Sequence, residues 1–117
     1  LAMLDQSKPV YQRLRDVIAN AILDGQFGDG DMLPSVRSLA AEQGVNPLTV
    51  AKAYQSFQDQ ELVLVKRGVG MFVSEGATAR LRQMMRDDFL TNIWPPVADQ
   101  MRRIGLDARS LLDQADA

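Results

Sequence analysis

The sequence predicts a mainly α-helical protein carrying one small β-hairpin, and three observations lead there. Apolar residues recur at three- and four-residue steps along most of the chain, in stretches bounded by proline, glycine or a capping side chain. One pair of short apolar runs, Leu62–Val65 and Met71–Val73, flanks a basic, glycine-containing tip. At 117 residues and 46% hydrophobic content, the chain suffices for one globular domain plus an appendage.

The first helix opens near Pro9, whose missing N–H costs nothing in a first turn, and Tyr11, Leu14, Ile18 and Ile22 line one face before Gly25 ends it. Phe27-Gly28-Asp29-Gly30-Asp31 reads as a turn, since its glycines and aspartates supply tight or left-handed backbone. Ser35 is placed to cap a second helix reaching Gln43, with Val36, Leu39 and Ala40 inward and Gly44 as its stop. After Val45, Asn46 caps a third helix with Pro47 at its first position. That helix runs to about Gln60 on a stripe of Val50, Ala53, Tyr54 and Phe57, leaving Leu48, Thr49, Lys52, Gln55 and Ser56 on the other faces. Two helices joined by so short a glycine-containing turn read as a helix-turn-helix.

The hairpin follows, with Lys66-Arg67-Gly68-Val69-Gly70 between its strands, and Ser74 to Ala77 reads as a linker. Thr78 is the expected cap of a fourth helix with Leu81, Met85, Phe89 and Ile93 on its stripe and Met84 beside it, stopped by Pro95-Pro96. A shorter helix carries Val97, Met101 and Ile104 to Gly105, and Asp107 caps a last one containing Leu111 and Leu112. Two regions result, 3–76 and 77–117, with Met3 the expected natural start and Leu1 and Ala2 foreign to it.

Composition removes whole classes of function. Without Cys or His there is no thiol chemistry, disulfide, imidazole base or zinc site built from those ligands. Carboxylates such as Asp87, Asp88 and Asp99 remain, but adjacent aspartates on a helix point roughly 100° apart and form no acid–base pair. No enzyme, metal or cofactor is expected. No apolar run nears the roughly 18 residues of a membrane span, and the N-terminus lacks a signal region, so a cytoplasmic protein without a membrane partner is expected.

The 13 basic and 15 acidic residues lack the footprint of a nucleic-acid binder. Residues 1–76 hold seven basic and nine acidic side chains and residues 77–117 six of each, so any DNA contact must rest on local placement of charge.

In order and spacing, the chain resembles the N-terminal domain of the GntR family of bacterial regulators. The residues are Pro9-x-Tyr11, Gly25-x-Phe27, Gly30-Asp31-Met32-Leu33-Pro34-Ser35-x-Arg37-x-Leu39-Ala40, Gly44-Val45-Asn46-Pro47-x-Thr49-Val50 and Arg67-Gly68-x-Gly70-Met71-Phe72-Val73. Asn46-Pro47, Phe89-Leu90 and Trp94-Pro95 are similar to the YtrA-like subfamily, whose members carry only a small helical C-terminal region. The resemblance implies a winged helix-turn-helix followed by a short helical dimerisation region. It also implies a cytoplasmic transcriptional regulator, expected to be a repressor, that binds an inverted-repeat operator in double-stranded DNA as a homodimer. An unidentified small-molecule effector stays open, with a site between subunits.

The resemblance places a DNA contact at Arg37 and others at the hairpin tip, Lys66, Arg67 and Gly68, where arginine can enter a narrow minor groove. The third helix is expected to enter the major groove by its N-terminal end, bringing Asn46, Leu48, Thr49 and Lys52 to base edges and free backbone N–H groups to phosphate. Asn46 has two competing roles, cap and contact. Leu48 stands where relatives carry a polar residue and offers only apolar contact, for instance to a thymine methyl. Glu61 stands where many relatives close the helix with glycine, so either the helix ends differently or strain is tolerated. Leu81, Met85, Phe89, Ile93, Trp94, Met101 and Ile104 are the expected dimerisation residues. A winged helix that binds a protein partner instead of DNA is the competing reading, and the acidic balance suits it.

Overall fold

The computed structural model describes residues 8–116, so the expected start at Met3 lies outside the described residues. The chain forms two compact units, one reaching Arg82 and one beginning at Gln83. Among the described residues no helix is long and apolar enough to cross a membrane.

In the first unit, α1 (Val10–Leu23) follows Pro9 and buries Leu14, Val17, Ile18, Ala19, Ala21 and Ile22. Tyr11 is a correction to the expected stripe. It is exposed, as is Val10, because the first turn of α1 overhangs the core that begins at Leu14. The second helix, α2 (Val36–Gln43), is capped by the Ser35 hydroxyl accepting from the Ser38 N–H at 3.1 Å and ends on left-handed Gly44. Leu39 and Ala40 are buried, and half-buried Val36 packs against them. The third, α3 (Pro47–Asp59), buries Val50, Ala53, Tyr54 and Phe57, the stripe that the periodicity predicts. Tyr54 donates its hydroxyl to the Pro34 carbonyl at 2.6 Å, tying α3 to the segment that leads into α2. Burial, with Glu42 adding, pushes the Tyr54 phenol well above its ordinary pKa, so it remains a donor at neutral pH.

The strands β1 (Val63–Lys66) and β2 (Gly70–Val73) pair antiparallel, from Val63 opposite Val73 to Lys66 opposite Gly70. Val63 and Val73 turn into the core. The sequence reading missed a third partner for this hairpin. Gly30 donates to the Val73 carbonyl, Val73 to that of Asp31, and Leu33 to that of Met71, with Met32 bridged to Phe72. Gly30 and Asp31 belong to a segment whose composition disfavours strand, which hid this pairing. A Cβ at Gly70 would lie 3.0 Å from the Met32 sulfur, so glycine permits this close approach.

The fourth helix, α4 (Ala77–Asp88), is capped by Asp29 from the distant turn. Its carboxylate accepts from the Gly76 N–H (2.7 Å), the Thr78 N–H (3.0 Å) and the Thr78 hydroxyl (2.7 Å). Thr78, expected to be the cap, is instead a donor to it. These bonds, led by the Thr78 hydroxyl, hold the Asp29 carboxyl below the usual carboxylate range. Ala77 and Leu81 join the core cluster, which carries this unit past Gly76.

In the second unit the chain does not stop at Pro95-Pro96. A π-helical turn, Phe89–Ile93, leads into α5 (Trp94–Ile104), with the prolines in its first turn. Two residues without N–H groups are tolerated in a first turn, and the Trp94 N–H just before them bonds back to the Phe89 carbonyl across the π turn. Left-handed Gly105 ends α5, and the Asp107 carboxylate caps α6 (Ala108–Asp116) by accepting from the Arg109 N–H at 3.2 Å. Phe89 and Trp94 stack with ring centres 6.4 Å apart.

The close of α3 shows how the chain manages without the usual glycine. Glu61 adopts φ 61°, in the left-handed region, while Leu62 donates back to the Phe57 carbonyl and is itself buried. Arg80 donates to the Glu61 carbonyl at 2.5 Å. The turn is therefore the glycine-type reversal, made by a strained residue and held by neighbours on both sides. Replacing Glu61 by Gly should remove the strain and keep the Arg80 bond, which is to backbone. Thermal melts should show a gain of about 1 kcal/mol, or about 4–8 °C for a unit of this size. An unchanged or lower melting temperature would mean that the Glu61 side chain itself holds the turn.

Candidate nucleic-acid interface

The first turn of α3 is built by Asn46 and Pro47. The Asn46 side-chain oxygen accepts from the Leu48 N–H at 2.8 Å, its backbone carbonyl accepts from the Thr49 N–H at 2.9 Å, and Pro47 has no N–H. Within this tip the Leu48 and Thr49 N–H groups are therefore already bonded. The capping bond takes one lone pair of the Asn46 oxygen and leaves its amide NH₂ for new partners.

Around that tip the side chains divide cleanly. Leu48 is 69% exposed, Lys52 is exposed and Thr49 half-buried, while Val50 and Ala53 are sealed in the core. Thr49 and Lys52 share an open depression with Val10 and Tyr11, so the exposed start of α1 lies beside the start of α3. The sequence reading missed this neighbourhood because it put Tyr11 on the inward stripe.

A second groove joins Ser35 and Val36 at the start of α2 to Val65 and Val69 of the hairpin, with Met32 on its wall. Arg37 stands next to this start and is exposed. At the hairpin tip, Arg67 is exposed and Gly68 takes φ 77°, a conformation that favours glycine. Lys66 ends β1, its ammonium 4.3 Å from the centre of the Phe72 ring.

The acidic balance finds a local explanation in this geometry. Asp16 pairs with Lys8 at 2.8 Å, Asp31 accepts from the Gly28 N–H, Asp59 accepts from Gln55, and Asp29 caps α4. These carboxylates act as structural acceptors. Arg37, Lys52 and Arg67, by contrast, make no hydrogen bond or ion pair among the described residues. Of the aspartates that could serve catalysis, Asp87 and Asp88 are exposed and accept from Gln83 and Asn92, and half-buried Asp99 pairs with Arg102.

Two residues expected at a dimer contact are buried instead. Leu81 lies in the core of the first unit because it falls one turn after Ala77 on the same face of α4. Met101 is also buried within the chain. Met85, Phe89, Ile93, Trp94 and Ile104 are exposed.

Residues 7–73 match the model of the bacterial regulatory proteins of the gntR family. The chain belongs to the GntR family. It is 30% identical over 107 residues to the HTH-type transcriptional regulator YhcF of Bacillus subtilis, covering 92% of this chain and 87% of that protein. It is 37% identical over 75 residues to the HTH-type transcriptional repressor YtrA of the same organism, covering 64% and 58%. A GntR family transcriptional regulator from Listeria monocytogenes has the same architecture, with a TM-score of 0.74 at 26% identity over 96% of both chains. AraR(DBD), solved in complex with operator ORX1, matches 63% of this chain and 90% of its own at 25% identity, with a TM-score of 0.55. This GntR chain is accordingly a winged helix-turn-helix protein of a family of DNA-binding regulators, not enzymes.

Arg37→Ala and Arg67→Ala should leave the melting temperature of this GntR protein nearly unchanged, since both side chains are exposed and unpartnered. Each should weaken binding to duplex DNA and flatten the dependence of log affinity on log salt by about one unit if its contact is to phosphate. Phe57→Ala should instead cost about 3–5 kcal/mol of stability. Unchanged DNA affinity in both arginine variants, measured by fluorescence anisotropy across a salt series, would overturn the assignment.

Proposed function

We propose that this chain is a sequence-specific transcriptional repressor that binds an inverted-repeat operator as a homodimer in the bacterial cytoplasm. The start of α3 enters the major groove with Asn46, Leu48, Thr49 and Lys52. Arg37 reaches the backbone beside it, and Lys66, Arg67 and Gly68 of the hairpin approach the minor groove. The observation that carries this reading is that Arg37, Lys52 and Arg67 are exposed and without partners among the described residues, around a helix whose opposite face is core. The operator-bound AraR(DBD) and the repressor YtrA support it by similarity.

The homodimer rests on the second unit. Met85, Phe89, Ile93, Trp94 and Ile104 leave apolar area in water, which a second copy would cover. A two-fold dimer presents two recognition helices to half-sites about one helical turn apart, hence the inverted repeat. A net charge of −2 gives little bulk attraction to DNA, so each subunit contributes only a few local contacts and tethering becomes important.

A chain ending at Arg82 should therefore fold, sediment as a monomer and lose about 10²- to 10⁴-fold in operator affinity relative to the full chain. Sedimentation and anisotropy on the two proteins test this together. A truncated protein that stays dimeric, or a monomer that binds as tightly as the full chain, would contradict the reading. Absence of any salt-sensitive binding of the full chain to duplex DNA would favour a module that docks on protein.

A further inference from the structure

We propose that Leu48 reads the methyl group of a thymine in each operator half-site, while the Asn46 amide donates to a hydrogen-bond acceptor beside it. The inference rests on the DNA-binding reading above and specifies what the tip of α3 recognises.

The first turn of α3 combines three features. Leu48 is the second residue of the helix and is 69% exposed, so its side chain stands out from the tip. Its own N–H is bonded to the Asn46 side chain and the Thr49 N–H to the Asn46 carbonyl, and Pro47 contributes none. The N–H groups of Leu48 and Thr49 are thus already bonded, and the group that Leu48 itself presents is apolar. A polar base edge pressed against such a surface would lose hydrogen bonds to water and regain none. In the major groove the apolar group available for contact is the C5 methyl of thymine.

Asn46 narrows the choice further. The cap uses one lone pair of the Asn46 oxygen and neither hydrogen of its NH₂. Those donors suit the O4 of thymine, the N7 of adenine, or the O6 or N7 of guanine, next to the methyl. Leu48 and Asn46 together therefore favour an edge with a methyl and an acceptor. Because Leu48 is exposed in the unbound protein, its replacement alters recognition without opening the core.

The test uses the full chain. Duplexes are selected from a randomised pool, and each thymine of the selected duplex is replaced singly by deoxyuridine, which removes the methyl and nothing else. Affinities are measured by anisotropy for the unaltered protein and for Leu48→Ala, with melting curves as the folding control. The expected result is one thymine per half-site whose demethylation weakens binding about fourfold, the value of one buried methyl-sized group. That loss should vanish in Leu48→Ala, which melts as the unaltered protein does. If a sequence is enriched but no thymine responds, or the response is the same in Leu48→Ala, the inference is overturned and the DNA-binding reading stands. If no sequence is enriched at all, both fall.

Discussion

Burial of one face of α3 is the constraint on which the rest of the protein depends. Val50, Ala53, Tyr54 and Phe57 are sealed against α1, α2 and the hairpin, and Phe57 is among the largest fully buried side chains. With 3.6 residues per turn, fixing those four positions fixes the direction of every other residue on the helix. Leu48 and Lys52 face water because Val50 and Tyr54 cannot. The Tyr54 hydroxyl adds a directional bond to the Pro34 carbonyl, which sets the rotation of α3 against the approach to α2, where Arg37 stands. Packing therefore positions the proposed recognition surface before any ligand is present, and little ordering of that surface would be left to be offset on binding.

The chemistry of the surface follows from how the backbone is satisfied. At the start of α3 Asn46 accepts from both the Leu48 and the Thr49 N–H, so the groups this tip presents are mainly side chains. The same economy appears at Asp29, where one carboxylate from the turn before α2 accepts three bonds from the start of α4 and joins segments far apart in sequence. Several acidic residues are acceptors of this kind, which is how a net-acidic chain can keep exposed, unpartnered cations at Arg37, Lys52 and Arg67.

Much of this was legible in the sequence because its signals are local. The inward stripes of α2 and α3, the caps at Ser35, Asn46 and Asp107, and the stops at Gly44 and Gly105 depend on neighbours within a turn or two. What escaped depends on distant partners. The pairing of residues 30–33 with β2 lay in a segment with turn composition, and the Asp29 cap came from another part of the chain. Periodicity gave Leu81 a place on an apolar stripe but could not say that the stripe changes role along α4, from core at Leu81 to exposed at Met85. Tyr11 failed in the opposite sense, matching the spacing of the stripe while lying beyond the end of the core. Pro95-Pro96 read as a stop because a π turn leaves no mark in a pattern of single residues. For the candidate interface, periodicity left Leu48 off the buried stripe, and it is exposed, but the depression that Thr49 and Lys52 share with Tyr11 depends on packing between α1 and α3 and left no local signal.

The central claim is that one prearranged surface, the starts of α2 and α3 with the hairpin tip, meets DNA. Amide chemical shifts followed during titration of the full chain with a short duplex at low salt report that surface directly. The account predicts the largest changes at Arg37, Leu48, Thr49, Lys52, Arg67 and Gly68, with the core-facing amides of Ala53 and Phe57 little moved. Changes centred on residues 83–116, or none at all, would contradict it.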